Sequence, residues 1–365
     1  MHIYICMGFL NNYYINKTNL LNNIKIIRAR LKPSTKICAV VKANAYGVGL
    51  KEVVSIIKDY VDYYAVANID EALELRTLDN NKEILILGYV DLLDIREAVQ
   101  NNLCVTIISK KYFVDLVNYL HDEKIKGLRV HIKINTGLNR FGLNIDEFED
   151  CEKLLRDKSI EVVGCYTHFA TKENDREFIN EQFEKFVQVS RFLKPGIIKH
   201  CANSFASLNE LDKQLDMVRV GFNLYGMEKN DFGLKPVVSI KSKIINILNL
   251  KAGETVGYDR TFTAANDMQI AVVPIGYADG FPRILSNKFK LFLSGRYVSV
   301  VGRICMDICF IDISGTSAKL GDAVEIMGEN ILTRNFSNIL NTSSYEILLN
   351  FNKIRANRII VTNDR

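Results

Sequence analysis

A lysine follows directly on an apolar run near the start of this chain, in the stretch KICAVVKANAYGVG at residues 36–49. The run at 37–41 predicts a strand that is buried on both faces, and Lys42 comes where that strand ends. Lysine is rarely buried unless it is paired or used in chemistry. Removal from water lowers the pKa of an amine, and the neutral amine is a nucleophile that can form a Schiff base. The alternative is a surface lysine whose ammonium reaches water beyond the strand end.

Polar residues follow several later apolar runs in the same way. A single histidine or arginine at such a place is more often structural than catalytic. Polar residues at several successive strand ends nevertheless predict a site, because these ends converge in α/β barrels. The candidates are Lys133 and Arg140 in KINTGLNRFG, His168 in THFAT, His200, Asn203 and Ser204 in HCANS, and Arg219, Gly221 and Tyr225 in RVGFNLYG.

The string AVVKANAYGVG closely resembles the pyridoxal-phosphate attachment motif of alanine racemases. The resemblance implies that Lys42 carries the cofactor as an internal aldimine and that Tyr46 contacts its phosphate. Further segments resemble the same family, in order, across nearly the whole chain. The chain departs from the family's usual pattern at Val48, where histidine is usual, and at 135–138, which read NTGL where DTGM is usual.

The chemical needs of pyridoxal phosphate give roles to the strand-end residues. Its phosphate needs hydroxyls and backbone N–H donors, which Ser204 and the amides of Gly221 and Phe222 can supply. A carboxylate beside the pyridine nitrogen would keep that nitrogen protonated and make the ring a deep electron sink. Arg219 at that position has only donors, so it would leave the nitrogen unprotonated and suppress side reactions.

The family resemblance implies further contacts. The residues matching His168 and Asn203 contact the cofactor or its surroundings in alanine racemases. The residue matching Arg140 hydrogen-bonds the cofactor's phenolic oxygen and helps to place the substrate carboxylate, and the lysine matching Lys133 is often carbamylated to steady that arginine. Tyr345, in SSYEI, matches a further phosphate contact.

Racemisation needs two acid/base groups, one on each face of the carbon that is inverted. The resemblance implies Lys42 for one face and, for the other, Tyr258 in GYDRTF, which comes from the partner chain of a head-to-tail homodimer. A tyrosine is a feeble base unless a neighbouring cation stabilises its phenolate, and His168 and Arg219 are expected to do this. The substrate-facing wall and access route of the family are matched by Met306 and Asp307 in GRICMD and by Tyr277 in GYADGFPR.

Two kinds of element must position these residues. Between residues 36 and 226, eight strand-like runs alternate with amphipathic helical segments such as 51–60, 69–78, 110–121 and 175–193, which predicts a (β/α)8 TIM-type barrel. An open doubly wound sheet is less favoured because the chain has no GxGxxG turn. After Pro236, short alternating runs with glycine-bearing turns predict an all-β domain.

These patterns give domain boundaries. We expect an opening strand at 1–10, in IYICMGF, that joins the β domain. The barrel is expected at 11–235 and the β domain at 236–365. The first helix of the barrel is predicted within Asn11–Leu31, with Asn16 or Thr18 as its cap.

Composition narrows the class further. The formal net charge of +5 is spread among acidic residues, which argues against nucleic-acid binding. No apolar run reaches membrane-spanning length and the N-terminus lacks a signal-peptide pattern, so a cytoplasmic protein is expected. The eight cysteines include no CxxC pair and are expected to be reduced and buried. No metal site is expected, since His200 and its neighbour Cys201 would face opposite sides of a strand.

The resemblance therefore predicts a pyridoxal-phosphate-dependent racemase that interconverts L- and D-alanine and supplies D-alanine for cell-wall peptidoglycan. Tyr258, Met306 and Tyr345 would leave room for a side chain as small as methyl. A racemase for serine or another small amino acid is one alternative. A decarboxylase on the same plan is another, although it would carry a carboxylate in place of Arg219. A non-catalytic cofactor carrier would lack the stretch after Pro236.

Overall fold

The computed structural model describes residues 9–171, 175–227 and 232–363. Its chain divides into two compact units. The first is made by Ile24–Ala45 and Val53–Asn223 and is called the barrel unit below. The second, called the β unit, combines the described parts of 1–23 and 224–365 with Tyr46–Glu52. The boundaries predicted at residues 10 and 235 stay predictions.

The N-terminal segment differs from the expectation. Most of the predicted opening strand IYICMGF lies outside the described residues, and the strand that joins the β sheet is β1 (Asn11–Asn16). The helix predicted within Asn11–Leu31 is α1 (Lys17–Ala29), and Asn16, one of its two predicted caps, accepts the N–H of Asn19 at 2.9 Å. Residues of β1 alternate between buried and half-buried, and Tyr13 and Ile15 enter the core, as expected for a strand that pairs on both sides.

The barrel unit holds an eight-stranded parallel sheet. Its neighbouring strands pair in sequence, and the first pairs with the last. At the remaining junction, Arg219 N–H donates to Ala202 O at 2.9 Å, and Asp216 N–H to Lys199 O at 3.1 Å. The strands are β2 (Lys36–Val40), β3 (Tyr63–Val66), β4 (Glu83–Ile86), β5 (Leu103–Ile107), β6 (Leu128–Lys133), β7 (Ile160–Tyr166), β8 (Ile198–His200) and β9 (Met217–Val220).

Helical segments follow the barrel strands along the chain. Several begin at capping side chains, as α4 does at Asn68 and α6 at Ser109, whose oxygens accept N–H groups of the first turn. The segments are α2 (Lys42–Tyr46), α3 (Leu50–Ile57), α4 (Ile69–Leu78), α5 (Ile95–Gln100), α6 (Lys110–Asp122), α7 (Ile145–Asp150), α8 (Glu152–Leu155), α9 (Arg176–Ser190) and α10 (Ser204–Asn209). The predicted barrel is confirmed.

The C-terminal stretch forms β sheets, as predicted, and also two short helices that its strand pattern did not indicate. Its elements are β10 (Val238–Lys243), β11 (Asn246–Leu250), β12 (Thr255–Val256), β13 (Phe262–Thr263), β14 (Met268–Val273), β15 (Lys290–Leu293), β16 (Arg296–Ser299), β17 (Cys309–Asp312), β18 (Ala323–Met327), α11 (Thr333–Leu340), α12 (Ser344–Asn350) and β19 (Ala356–Val361).

Two sheets dominate the β unit. One has the order β16–β15–β18–β10–β1–β19, in which β1 pairs antiparallel with β10 and parallel with β19. The other has the order β11–β14–β17, and β12 pairs with β13. Within the described ranges, no helix is long and apolar enough to cross a membrane.

Candidate active site

Lys42 lies at the barrel mouth, one residue after Val41 at the carboxyl end of β2, and is half-buried. Burial and the charge of Arg140 lower its pKa, while the Glu71 carboxylate opposes them. A lowered pKa increases the neutral fraction of the amine, which is the nucleophilic form. The predicted desolvation of this lysine is therefore present in the structure.

The chain leaves Lys42 in an unusual conformation. Ala43, Asn44, Ala45 and Tyr46 all have positive φ, between 53° and 59°, so α2 is a left-handed turn made without glycine. A left-handed conformation costs about 1–2 kcal/mol for each such residue. Strain of this size persists only where surrounding contacts hold it, and it is typical of functional sites.

Glu71 supplies one of those contacts. Its two carboxylate oxygens accept the N–H groups of Ala43 and Ala67, both at 2.7 Å. Asn68 caps α4 by accepting the N–H of Glu71, which fixes the start of the helix that carries this carboxylate. Glu71 thus holds the first residue of the left-handed turn, and its negative charge favours the protonated form of Lys42.

We expect Glu71→Ala to lower the free energy of unfolding by about 2–3 kcal/mol, because two charge-assisted hydrogen bonds to backbone are lost. Urea unfolding of the cofactor-free protein measures this difference. Glu74→Ala, on the exposed side of the same helix, is the matched control and should change stability by less than about 0.5 kcal/mol. Equal losses in the two variants would show that the turn does not depend on Glu71.

Four cations influence one another electrostatically around the barrel mouth. Lys133, on β6, is only 3% exposed, and burial together with Arg140, Arg219 and Lys42 lowers its pKa to about 7. Its ammonium group lies 5.6 Å from the ring centroid of Tyr166. A buried site with this excess of positive charge favours an anionic ligand.

The loop that carries Arg140 is organised by Asn135, one of the departures from the family pattern. The Asn135 side-chain oxygen accepts N–H groups of Gly137 and Asn139, at 3.3 and 3.0 Å. Its amide donates to the side chains of Asn139 and Asn144, both at 3.0 Å. An asparagine at this position therefore closes the loop without a carboxylate.

Arg219, on β9, is buried and has no carboxylate partner within the described residues. Its Nη1 donates to His200 Nδ1 at 2.7 Å and to His200 O at 3.2 Å. Its Nη2 donates to Thr167 O at 2.8 Å, His168 Nδ1 at 3.1 Å and Cys201 O at 3.3 Å. The remaining donor, Nε–H, makes no hydrogen bond inside the described part of the chain.

His168 does not act as the cation that the sequence suggested. Burial, followed by the charges of Arg219 and Lys133, lowers its pKa well below the ordinary value, so the imidazole is neutral. Because its Nδ1 accepts from Arg219, its proton lies on Nε2. His168 can therefore present an N–H donor, and Arg219 supplies the positive charge behind it.

Ser204 and Gly221 lie together on neighbouring segments of the barrel unit. The Gly221 N–H donates to Ser204 Oγ at 3.0 Å, and the Asn223 amide donates to Ser204 O at 2.6 Å. Asn203 caps α10 by accepting the N–H of Ala206, so its side-chain oxygen is used within the helix start. Because Ser204 Oγ accepts this N–H, its own hydroxyl proton can be donated to an anion that lies beside Gly221 and Phe222.

Three tyrosines cluster in the β unit. The Tyr46 ring lies 5.8 Å from that of Tyr225 and 5.9 Å from that of Tyr345, centroid to centroid. Burial, with a smaller contribution from Tyr345, raises the pKa of Tyr46 well above its ordinary value, so its hydroxyl stays protonated. Arg358 of β19 donates to the carbonyls of Gly47 and Val48 and holds the chain that follows Tyr46.

The other predicted residues of the β unit lie at its surface. Tyr258 is 68% exposed, Met306 53% and Tyr277 37%. Arg355 ties the loops of Tyr277 and Met306 together, since it forms ion pairs at 2.8 Å both with the buried Asp279 and with Asp307. Exposed aromatic and thioether side chains on an ordered surface are typical of an interface.

The structure thus brings the predicted residues into two groups. In the barrel unit, Arg219 contacts His168, Ser204 lies against Gly221, and Lys42, Lys133 and Arg140 interact electrostatically. In the β unit, Tyr46 contacts Tyr345, and Tyr277, Met306 and Asp307 lie in loops joined by backbone bonds from Tyr277 to Cys305 and from Ala278 to Met306. No group of three or more His, Cys, Asp or Glu side chains among the described residues could hold a metal ion.

Comparisons with known proteins place this arrangement in a family. The descriptions "Alanine racemase, N-terminal domain" and "Alanine racemase, C-terminal domain" match residues 15–229 and 237–360. "Alanine racemase 2" of Caldanaerobacter subterraneus subsp. tengcongensis is 38% identical and covers 86% of this chain and 84% of the relative. "Alanine racemase" of Methanococcus maripaludis is 37% identical and covers 92% and 94%.

Solved structures agree. The alanine racemase of Clostridium difficile 630 superposes with a TM-score of 0.90 at 33% identity, over 98% of this chain and 97% of that one. The alanine racemase from E. faecalis gives a TM-score of 0.89 at 31% identity, over 96% and 98%. The chain belongs to the alanine racemase family, and the predicted family and racemase class are confirmed.

Sequence reasoning missed several residues of the site. His200 was noticed at a strand end but received no role, and His131, Glu71 and Arg355 were not considered. The alternation of His131 and Lys133 in RVHIKIN could have identified His131, because residues two apart on a strand share a face. Nothing local distinguishes Glu71 or Arg355 from other charged residues of the chain.

Proposed function

We propose that this protein is a pyridoxal-phosphate-dependent racemase that interconverts L- and D-alanine. The observation that carries the proposal is the partner set of Arg219. Among the residues that the structure describes, this buried guanidinium is bonded only to neutral imidazoles and carbonyls, which leaves one N–H donor for a ring nitrogen. Such a donor does not protonate that nitrogen. An unprotonated ring is a weaker electron sink, which favours racemisation over reactions that need a deep one.

The residues present fit the cofactor. The free Nε–H of Arg219 suits a pyridine nitrogen, and the Ser204 and Gly221 pair suits a phosphate. The mutual lowering of pKa among the cations of the barrel mouth would be relieved by a dianion. Lys42, with its lowered pKa, can attach a carbonyl carbon covalently. When bound, the cofactor would weaken the Cα–H bond of the amino acid by withdrawing electrons.

The chain's own residues would then move the proton. Lys42 is assigned the acid/base role on one face of Cα and Tyr258 the role on the other. Tyr258 is largely exposed in the single chain. A residue that acts in the site of a partner subunit must be exposed in this way. We therefore infer a head-to-tail homodimer whose two sites each combine residues of both subunits.

The substrate carboxylate would be placed by Arg140, a cation in the loop that Asn135 organises. Met306, Asp307 and Tyr277 would form the wall and the access route, held by the Arg355 ion pairs. Tyr46 and Tyr345 would contact the phosphate. Asn203 would act indirectly, since it caps the helix that begins with Ser204.

Lys133 is proposed to be carbamylated. Its neutral amine, the major form above pH 7, would form an N–C bond to carbon dioxide and release one proton. The product carries a negative charge, which suits a position close to Arg140 and Arg219. Transfer of label from ¹³C-bicarbonate to Lys133, detected by carbon NMR, tests this directly.

The depressed pKa of Lys133 also gives stability a pH dependence. Its folded-state pKa is about 7, against about 10.4 for an unfolded lysine, so the unfolded chain binds more protons between these values. Stability therefore rises with pH across this window, by at most about 1.4 kcal/mol per pH unit from this group. We expect urea unfolding in carbon-dioxide-free buffer to show this rise in the wild-type protein and a smaller one in Lys133→Met. The exposed control Lys153→Met should show the same rise as the wild type.

The direct test of function is incubation with pure L- or D-alanine and pyridoxal phosphate, followed by chiral chromatography. Both enantiomers should approach the same near-equal mixture without release of carbon dioxide. Carbon dioxide release would instead support the decarboxylase, and racemisation of serine in preference to alanine would support a broader substrate range. The proposed biological role is supply of D-alanine for peptidoglycan. A cytoplasmic location accords with the seven cysteines of the described residues, all of which are free thiols.

A further inference from the structure

A row of three buried groups runs from β9 to β6 across the barrel interior. Arg219 Nη1 lies 2.7 Å from His200 Nδ1, and His200 Nε2 lies 3.0 Å from His131 Nδ1. Both imidazoles have no exposed surface. Only Arg219 of the three has a role in the function proposed above.

The donors and acceptors of this row have one consistent assignment. A guanidinium has only donors, so His200 Nδ1 must be the acceptor and the proton of His200 must lie on Nε2. That N–H then points at His131 Nδ1, which must in turn be an acceptor. The proton of His131 is left on Nε2, an atom with no hydrogen-bond partner in the residues that the structure describes.

The electrostatics agree with two neutral rings. Burial, followed by the charge of Arg129, lowers the pKa of His131 to about 3. Burial, followed by the charge of Arg219, lowers the pKa of His200 well below its ordinary value. Neither ring therefore competes with Arg219 for a proton, and the two imidazoles add no charge to that of the guanidinium.

The strand pairing of the barrel is irregular next to His131, and this irregularity leaves space for its ring. The pairing of β6 with β7 shifts between Val130 and His131, and Gly164 lies opposite His131. A Cβ on Gly164 would approach the His131 ring atoms to 2.2 Å. Tyr166 stacks on His200 at 4.8 Å with an interplanar angle of 7°, which keeps the middle ring in plane.

From this geometry we infer that His131 is a positioning residue for the reaction, which acts through His200 on Arg219. By accepting the His200 Nε2–H, it holds His200 in the tautomer whose Nδ1 can receive Arg219 Nη1. Without that acceptor, the opposite tautomer would aim an N–H at the guanidinium and turn it. The orientation of the free Arg219 Nε–H depends on this arrangement. The inference rests on the proposed function, because this Nε–H has its role only as a donor to the ring nitrogen of the cofactor.

The first test is nitrogen NMR on the cofactor-free protein labelled with ¹⁵N-histidine. The chain has five histidines, so single variants assign the signals. We expect His200 and His131 to be neutral, each protonated on Nε2, from pH 6 to 8. A charged His200, or one protonated on Nδ1, overturns the inference in the wild-type protein, whether or not any variant folds.

The second test compares three variants. His131→Leu removes the acceptor, and His131→Asn restores one, since its Oδ1 takes the place of Nδ1. Tyr166→Phe is the matched control, because it deletes a neighbouring buried hydroxyl, bonded to Thr106, and keeps the stacked ring. We expect His131→Leu to lose the single His200 tautomer, and the other two variants to keep it.

Kinetics give the functional readout. With the loss of one buried hydrogen bond, kcat for alanine should fall about tenfold in His131→Leu while KM changes less than about twofold. His131→Asn should recover most of kcat. Equal loss in the Leu and Asn variants, or an unchanged His200 tautomer in His131→Leu, refutes the positioning role. Failure to bind pyridoxal phosphate would instead refute the proposed function and leave the tautomer result intact.

Discussion

Replacing Lys42 by alanine is expected to abolish covalent attachment of pyridoxal phosphate and to lower racemase activity by about a thousandfold or more. The variant loses both the amine that binds the cofactor and the acid/base group on one face of Cα, and a positioned base alone contributes about 10²–10⁴-fold. Borohydride reduction followed by peptide mass spectrometry locates the cofactor on the wild-type chain.

The matched control is Lys51→Ala. Lys51 is exposed and lies on α3, close in sequence to Lys42. This variant should keep both the label and the activity. A Lys42→Ala protein that retains the label at full stoichiometry would remove the anchor assignment, and with it the meaning given to the left-handed turn that follows Lys42.

Tyr258→Phe is expected to have the second-largest effect, and an asymmetric one. Proton removal from L-alanine is assigned to Tyr258, so solvent-deuterium exchange at Cα of L-alanine should fall by about 10²–10⁴-fold. Exchange at D-alanine, assigned to Lys42, should fall far less. Equal losses from the two enantiomers would refute the two-base assignment.

Tyr297→Phe controls for loss of an exposed hydroxyl. Tyr297 is 55% exposed in the same β unit, and its hydroxyl donates to Asn330 O at 2.9 Å. It should leave both exchange rates unchanged. If it reproduces the asymmetry, the effect of Tyr258→Phe belongs to the surface of this unit and not to proton transfer.

Mixing the two inactive variants tests where each residue acts. If Lys42 and Tyr258 meet across a head-to-tail dimer, a heterodimer of Lys42→Ala and Tyr258→Phe chains has one complete site and one doubly defective site. Random subunit exchange makes half of the dimers mixed, so about a quarter of wild-type activity should return. If both residues act within one chain, no complete site forms and no activity returns.

Local pattern was sufficient for much of the fold. The helix predicted at 69–78 is confirmed to the residue, because Asn68 supplies a cap at its start and the chain turns extended at Asp79. Both faces of the barrel strands are buried, so these strands are continuous apolar runs. Such runs can be recognised in the local sequence without knowledge of distant contacts.

Where prediction failed, a distant partner decided the outcome. The segment Asn11–Asn16 is a strand because β10 and β19, more than 200 residues later, pair with it. The spacing of apolar residues within a segment carries no information about a partner strand that far away in the sequence. The helix α12, which carries Tyr345, was missed because its seven residues are too few to show a period.

The sequence by itself determined the family, the barrel with its β domain, and the lysine at the end of the first barrel strand, because strings and periods of residues encode these. Only the tertiary structure decided the four-residue left-handed turn, the neutral state of His168 and the row Arg219–His200–His131. Each depends on burial and on hydrogen-bond partners that are distant in the sequence, and these come together only when the barrel closes.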